Sequence, residues 1–206
     1  DDPKDIEPIL KDLEINKDKI TSIELTSNSI GIPCAKELAD KIKNLPNLVN
    51  VNYRDIFVSR CKEDLPISLE YLIRAILDKP IKVLDLSDNA FGPLALHSYD
   101  FFLKQNSTLE ELYLENNGLG PEGSEEIANV LLNNDKLHLK KLKISRNRME
   151  NKGGIGISEA FARMKSLEHI EMFQNGIKSE GMKEVVKSLK ENPNLQIVKI
   201  NDNFLK

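Results

Sequence analysis

The chain has 206 residues, 40% hydrophobic and 30% charged, no tryptophan, and a formal net charge of −4. That is enough apolar matter for one domain with a sizeable core of Leu, Ile and Val, although length alone would allow two. No basic block suggests nucleic acid as a partner, and no apolar run approaches the ~20 residues of a membrane span. The chain opens DDPKDIEPIL, an acidic start without the apolar core of a signal peptide. In residues 1–20, Ile6, Ile9, Leu10 and Leu13 fall on one helical face. The expectation is an N-terminal capping helix, which a stack of repeats needs to cover its first coil.

From residue 21 to 206 the chain repeats itself on the pattern L-x-x-L-x-L-x-x-N-x-L. Leu109, Leu112, Leu114, Asn117 and Leu119 fill it completely, and the positions equivalent to Asn117 are Asn28, Ile56, Asn89, Asn147, Asn175 and Asn203. The successive intervals are 28, 33, 28, 30, 28 and 28 residues, which makes seven units. Pattern and period are those of leucine-rich repeats of the long subclass, with a full helix in each unit. The expected fold is therefore an α/β solenoid, a horseshoe. Strands near 23–25, 51–53, 84–86, 112–114, 142–144, 170–172 and 198–200 form one parallel sheet on the concave face. Helices cover the convex face. Pro33, Pro93 and Pro121 mark helix starts, and Ser179 reads as an N-cap. Pro46, Pro80 and Pro193 follow helix ends. Gly153-Gly154-Ile155-Gly156 reads as a loop feeding a helix. The last residues, Asn203-Phe204-Leu205-Lys206, stop after a turn and before its helix, so the chain is expected to be a piece of a longer array truncated at its C-terminus.

The repeated Asn has a structural task. A carboxamide both donates and accepts, so stacked Asn28, Asn89, Asn117, Asn147, Asn175 and Asn203 can satisfy inward-facing backbone groups of adjacent coils. Function is sought where this regularity fails. In the second unit Ile56 replaces the ladder Asn, and the interval is lengthened around Val58-Ser59-Arg60-Cys61-Lys62-Glu63. An inserted loop carrying Arg60 and Lys62 on the rim is a candidate partner contact, with an ordinary solvated loop as the plainer reading. A second set of candidates is the residue before each ladder Asn, which points away from the interior and is free to vary. Its occupants are Ser27, Asp55, Asp88, Asn116, Arg146, Gln174 and Asp202.

No phosphate-binding G-x-x-x-x-G-K-[ST] loop is present. His97, His138 and His169 lie in different units without a matching nucleophile or ligand set. The two cysteines, Cys34 and Cys61, have no metal-like spacing, and a reduced intracellular protein is expected. Asn106-Ser107-Thr108 matches a glycosylation sequon, a triplet that chance often supplies. No metal and no cofactor is expected, and a monomer is the expected state.

Several segments resemble the Ran GTPase-activating proteins in the family's own order. Asp55-Ile56-Phe57-Val58-Ser59-Arg60-Cys61-Lys62 resembles their DIF-x-x-R-x-K segment, and Leu86–Pro93 matches LSDNAFGP. Tyr113–Pro121 matches YL-x-NNGLGP, Arg146–Asn151 resembles RNRLEN, and Gln174–Ile177 matches QNGI. The resemblance implies a protein that stimulates GTP hydrolysis by the GTP form of the small GTPase Ran, and so a role in nucleocytoplasmic transport. GTP and Mg²⁺ would be held by Ran. The family's Asn that positions Ran's own catalytic Gln falls on Asn116, and its essential Arg, which is not an inserted finger, falls on Arg60. Arg60 would contact Ran or hold the surroundings of Asn116; Asp55, Lys62, Asp88, Arg146 and Gln174 would face the partner. Such a protein would not itself be a hydrolase, and would be cytoplasmic, free or tethered at the nuclear envelope. Val58-Ser59 stands where relatives often have Thr-Gly, and the family's further repeats and acidic tail have no counterpart in these residues. The alternative is a binding scaffold of the ribonuclease-inhibitor type with no effect on GTP hydrolysis.

Overall fold

A computed structural model of the chain describes residues 2–204. Asp1, Leu205 and Lys206, at the outer bounds of the predicted cap and repeat region, lie outside the described residues. Each unit places one branched apolar residue between two outward side chains, the alternation that makes a half-buried strand. The strands are β1 (Ser22–Glu24), β2 (Asn50–Asn52), β3 (Val83–Asp85), β4 (Glu111–Tyr113), β5 (Lys141–Lys143), β6 (His169–Glu171) and β7 (Ile197–Lys199). They form one open parallel sheet in chain order. The central residues stand in register across it, Leu84 beside Leu112 and Leu112 beside Leu142. The strands lie one residue earlier than the pattern placed them, but their hydrogen bonding runs on. Leu86 N–H donates to Tyr113 O at 2.9 Å and Leu114 N–H to Lys143 O at 2.8 Å.

The helices that return the chain are α2 (Ile32–Ile42), α3 (Asp64–Ala75), α5 (Gly120–Leu132), α6 (Glu150–Arg163) and α7 (Ser179–Leu189). Pro33 and Pro121 sit in the first turns of α2 and α5, where the missing N–H costs nothing. Three expectations need correction. The third unit has no full helix: a 3₁₀ helix over Pro93–Ser98 gives way to a short α4 (Asp100–Gln105), with Tyr99 at φ −140° breaking the run. Tyr99, Phe102 and Leu103 are nonetheless wholly buried, so the break preserves the inward face. The N-cap backbone before α7 belongs to Lys178, and Ser179 is already helical. Finally, Gly153, Gly154 and Gly156 lie inside α6, not in a loop before it. Packing overrides their poor helix propensity. A Cβ on Gly153 would sit 3.0 Å from Ser124 Cβ, and one on Gly156 would sit 2.7 Å from Glu125 Cγ of α5. Before the sheet, a 3₁₀ turn over Pro3–Ile6 leads into α1 (Glu7–Ile15). Ile6, Leu10 and Leu13 pack on the core, whereas Ile9 is 45% exposed.

The asparagine ladder is continuous only from the third unit onward. Asn89 N–H donates to Asn117 Oδ1 at 3.0 Å, and Asn117 N–H to Asn147 Oδ1 at 3.0 Å. Asn147 N–H donates to Asn175 Oδ1 at 2.7 Å, and Asn175 N–H to Asn203 Oδ1 at 3.0 Å. Each Nδ2 meanwhile donates to a carbonyl, as Asn117 Nδ2 does to Leu86 O at 2.9 Å. Asn28 departs from the expectation. It is exposed, and its Nδ2 reaches only Leu25 O and Thr26 O of its own unit. The reason is Ile56, which has no side-chain oxygen to receive the Asn28 N–H, although its own N–H is received by Asn89 Oδ1 at 2.9 Å. Phe57 and Phe91 pack there instead, ring centroids 6.0 Å apart. The sequence reading also missed a second set of asparagines on the opposite edge. Asn134 Nδ2 donates to Leu103 O and Asn106 O, both at 2.7 Å, and Asn192 Nδ2 to Phe161 O at 2.8 Å. Asn106 is buried, its Oδ1 taken by the N–H groups of Thr108 and Leu109, so the sequon holds a structural side chain.

Candidate functional site

The turn between β4 and α5 is built from residues that tolerate left-handed backbone. Asn116 has φ 53°, Gly118 65° and Gly120 67°. Asn and Gly populate that region at little cost, while a side chain branched or extended at Cβ crowds its own carbonyl there. The reversal at Asn116 turns its side chain out and sends the next one in. Asn116 is exposed and Asn117 is wholly buried in the ladder. The same geometry recurs at every rim position: Ser27, Asp55, Asp88, Asn116, Arg146, Gln174 and Asp202 all have φ between 53° and 59°. The rim is therefore less free to vary than the pattern implied.

The rim side chains pair across units. Ser27 Oγ donates to Asp55 Oδ2 at 3.1 Å, and Gln174 Nε2 to Asp202 Oδ2 at 2.5 Å. In the middle of the array Asn116 Nδ2 donates to Asp88 Oδ1 at 2.8 Å. The other Asp88 oxygen pairs with the Arg54 guanidinium, and Arg146 Nη2 lies 3.5 Å from Oδ1. Of the predicted site residues the structure thus joins Asp88, Asn116 and Arg146, and leaves Asp55 and Gln174 in separate pairs. Arg54 was missed. It occupies the position one before the rim, aligned with Glu115, and reading that column across units would have found it.

Arg60 lies elsewhere in the fold. Its Nη2 donates to Ser29 O at 2.5 Å, and Val58 N–H donates to Asn28 O at 3.3 Å. The inserted loop is thereby sewn to the turn of the first unit. The immediate partner of Asn116 is Asp88, not Arg60. Lys62 and Cys61 are exposed on the same loop.

Beside the rim the concave sheet carries coupled charges. Glu115, adjacent to Asn116, is 8% exposed, and burial pushes its carboxyl up against the pull of Lys143, Arg146 and Arg54. Burial also works on Glu171, but Lys199 at 3.1 Å and Lys143 at 3.2 Å carry its carboxyl below the usual range. His169 Nε2 lies 2.9 Å from Glu171 Oε1; burial nevertheless lowers the imidazole. The Lys141 and Lys143 ammonium groups lie 5.2 and 5.4 Å from the centre of the Tyr113 ring, within cation–π range. Among the described residues no group of three or more His, Cys, Asp or Glu side chains is placed to hold a metal ion. Among the described residues no helix is long and apolar enough to cross a membrane. What this surface offers is hydrogen-bonding groups and charge of both signs.

The leucine-rich-repeat family model matches residues 105–128 and 136–158. The chain is 33% identical to Ran GTPase-activating protein 1 of Xenopus laevis over 186 residues, 84% of this chain and 32% of the relative. It is 33% identical to the Ran GTPase-activating protein of Drosophila melanogaster over 85% of this chain and 31% of that protein. It is 29% identical to Ran GTPase-activating protein 1 of Saccharomyces cerevisiae over 97% of this chain and 52% of that one. The chain thus spans about a third to a half of these relatives. Among solved structures, the tropomodulin C-terminal domain of Caenorhabditis elegans aligns with a TM-score of 0.54 over 91% of this chain and 92% of that one, at 15% identity. Leiomodin-1 actin-binding site 2 aligns with a TM-score of 0.53 over 90% and 88%, at 13% identity. Those two share the solenoid fold alone.

Proposed function

We propose that this chain, a leucine-rich-repeat protein similar along most of its length to Ran GTPase-activating proteins, stimulates GTP hydrolysis by the GTP form of Ran. One observation carries the reading: Asn116, the outward Asn of the segment resembling YL-x-NNGLGP, stands exposed on the rim while its neighbour Asn117 is locked in the ladder. An exposed, oriented carboxamide can place a partner's catalytic Gln without entering the reaction itself. Positioning of this kind is worth on the order of 10²-fold when it is lost. The chain is then an activator and not a hydrolase. It acts as a monomer, with GTP and Mg²⁺ held by Ran and no cofactor of its own. Its place is the cytoplasm or the nuclear envelope, in nucleocytoplasmic transport. Arg60, Lys62, Asp55 and Gln174 flank the contact, and Arg60 acts from the first-unit side of the rim.

The experiment is single-turnover hydrolysis of GTP on Ran with and without this chain. A rate raised by orders of magnitude is expected; no stimulation, with binding retained, returns the chain to the scaffold alternative. Ran with its catalytic Gln replaced should respond hardly at all. Strong stimulation of that Ran would mean that a catalytic group comes from this chain, in the manner of an inserted Arg.

A further inference from the structure

Asp88 sits where four consecutive units converge. Arg54 comes from the second unit, Asp88 from the third, Asn116 from the fourth and Arg146 from the fifth. Asp88 and Asn116 hold the same position in neighbouring turns, with φ 58° and 53°, so their side chains lie side by side. The Asp88 side chain is only 19% exposed, and its contacts are within the chain: Arg54 on Oδ2, Asn116 Nδ2 at 2.8 Å and Arg146 at 3.5 Å on Oδ1. N–H donors face both Asp88 oxygens, so this side chain accepts hydrogen bonds at each. The two ends of the Asn116 carboxamide are thereby distinguished. Its NH₂ must face Asp88, and its Oδ1 is left without a partner among the described residues.

We infer that Asp88 is a positioning residue: with Arg54 and Arg146 fixing it, it orients the Asn116 carboxamide so that Oδ1 faces outward as an acceptor. The group received from a partner must then be a hydrogen-bond donor, such as the NH₂ of a glutamine side chain. The kinetic consequence rests on the proposed activation of Ran; the orientation itself does not.

The test uses Asp88→Gly, which removes the carboxylate while glycine keeps the left-handed backbone. It is paired with Asp88→Asn, which restores an acceptor oxygen in a residue that also tolerates that backbone. In the free protein, side-chain amide resonances of Asn116 are followed by NMR. In Asp88→Gly they should shift and exchange with water at least about tenfold faster, those of Asn117 staying put, because a hydrogen-bonded amide is protected from exchange. Unchanged Asn116 resonances overturn the inference. In single-turnover assays with Ran, Asp88→Gly should lower the saturating rate on the order of tenfold or more, with half-saturation moved less than about threefold. Asp88→Asn should recover most of the rate. Asp88→Gly added to Asn116→Gly should cost nothing further, since residues acting as one unit are not additive. An effect on half-saturation alone, or full additivity, makes Asp88 a partner contact and overturns its positioning role. If the unaltered chain fails to stimulate Ran, the proposed function falls, and the amide resonances still decide the orientation.

Discussion

Asn116 and Asn117 carry the same side chain and differ by one backbone reversal, so substitution should separate them cleanly. Asn117→Ala strips the acceptor from the buried Asn89 N–H, and takes one of two amide donors from Leu86 O, which keeps Asn89 Nδ2. Orphaned groups of this kind cost about 1–3 kcal/mol. In a chain of this size that lowers Tm by roughly 2–4 °C per kcal/mol. Asn116→Gly removes only an exposed hydrogen bond and keeps φ 53° open, so stability should change by about 0.5 kcal/mol or less. Activation of Ran should nevertheless drop on the order of 10²-fold. Asn116→Ala adds the strain of a Cβ in left-handed backbone, about 1–2 kcal/mol, a cost the sequence did not display. Thermal melts and hydrolysis rates on these variants check both assignments; an Asn116→Gly protein that keeps full activity would mean the outward Asn has no role. Glu115 offers a test of sign. Its carboxyl is raised by burial, so the folded state holds the proton at a higher pH than the unfolded state does. Stability from this group therefore rises as pH falls through the folded value toward the unfolded one. Glu115→Gln should melt above the unaltered chain at pH 7, and the gap should close on acidification. A gap that is constant with pH would place the effect in packing.

At the scale of elements, the inserted loop is held to the first unit by Arg60 on Ser29 O and by Val58 N–H on Asn28 O. Arg60→Ala should leave the repeats folded, with loss of the charged hydrogen bond to Ser29 O costing on the order of 1–3 kcal/mol. If the loop presents a surface to Ran, activation should fall about tenfold or more, since an Arg fork fixes geometry as well as charge. A folded Arg60→Ala chain with near-normal activity removes the loop from the mechanism. The elements themselves were largely legible, because period-2 strands and helix-starting prolines act locally. What escaped was decided between elements. Gly153, Gly154 and Gly156 look like a loop by propensity, yet α6 needs their missing side chains to approach α5 and Ile177, in the turn ahead of α7. The left-handed rim was half-visible: Asp55, Asp88, Asn116 and Asp202 advertise it, while Ser27, Arg146 and Gln174 hide it. Asn116 and Arg60 could be picked out because motif and insertion marked them. Arg54 was legible only by comparing the column one before the rim, and Asp88, though a rim candidate, gave no local sign that four turns meet on it.

For the whole molecule, the break at Ile56 divides the array. From Asn89 to Asn203 every turn is tied to the next through a side-chain amide, whereas the first turn is not. In a repeat array, stability is close to a sum of nearest-neighbour terms, so opening should begin where a tie is missing. Native-state hydrogen exchange should find the N–H groups of Asn89, Asn117 and Asn147 among the slowest and that of Asn28 faster by about tenfold or more, the factor for roughly 1.4 kcal/mol. Equal protection along the array would show that the break carries no energetic consequence. The ladder also has a direction. From Asn89 to Asn175 each Asn gives its backbone N–H to the carboxamide of the unit that follows, so each of these turns waits on residues about 28 positions ahead, as Asn89 does on Asn117. On a ribosome those residues emerge later. A nascent chain released as far as one turn should hold that turn open until the next unit clears the exit, and synthesis should close the array one coil behind its growing end.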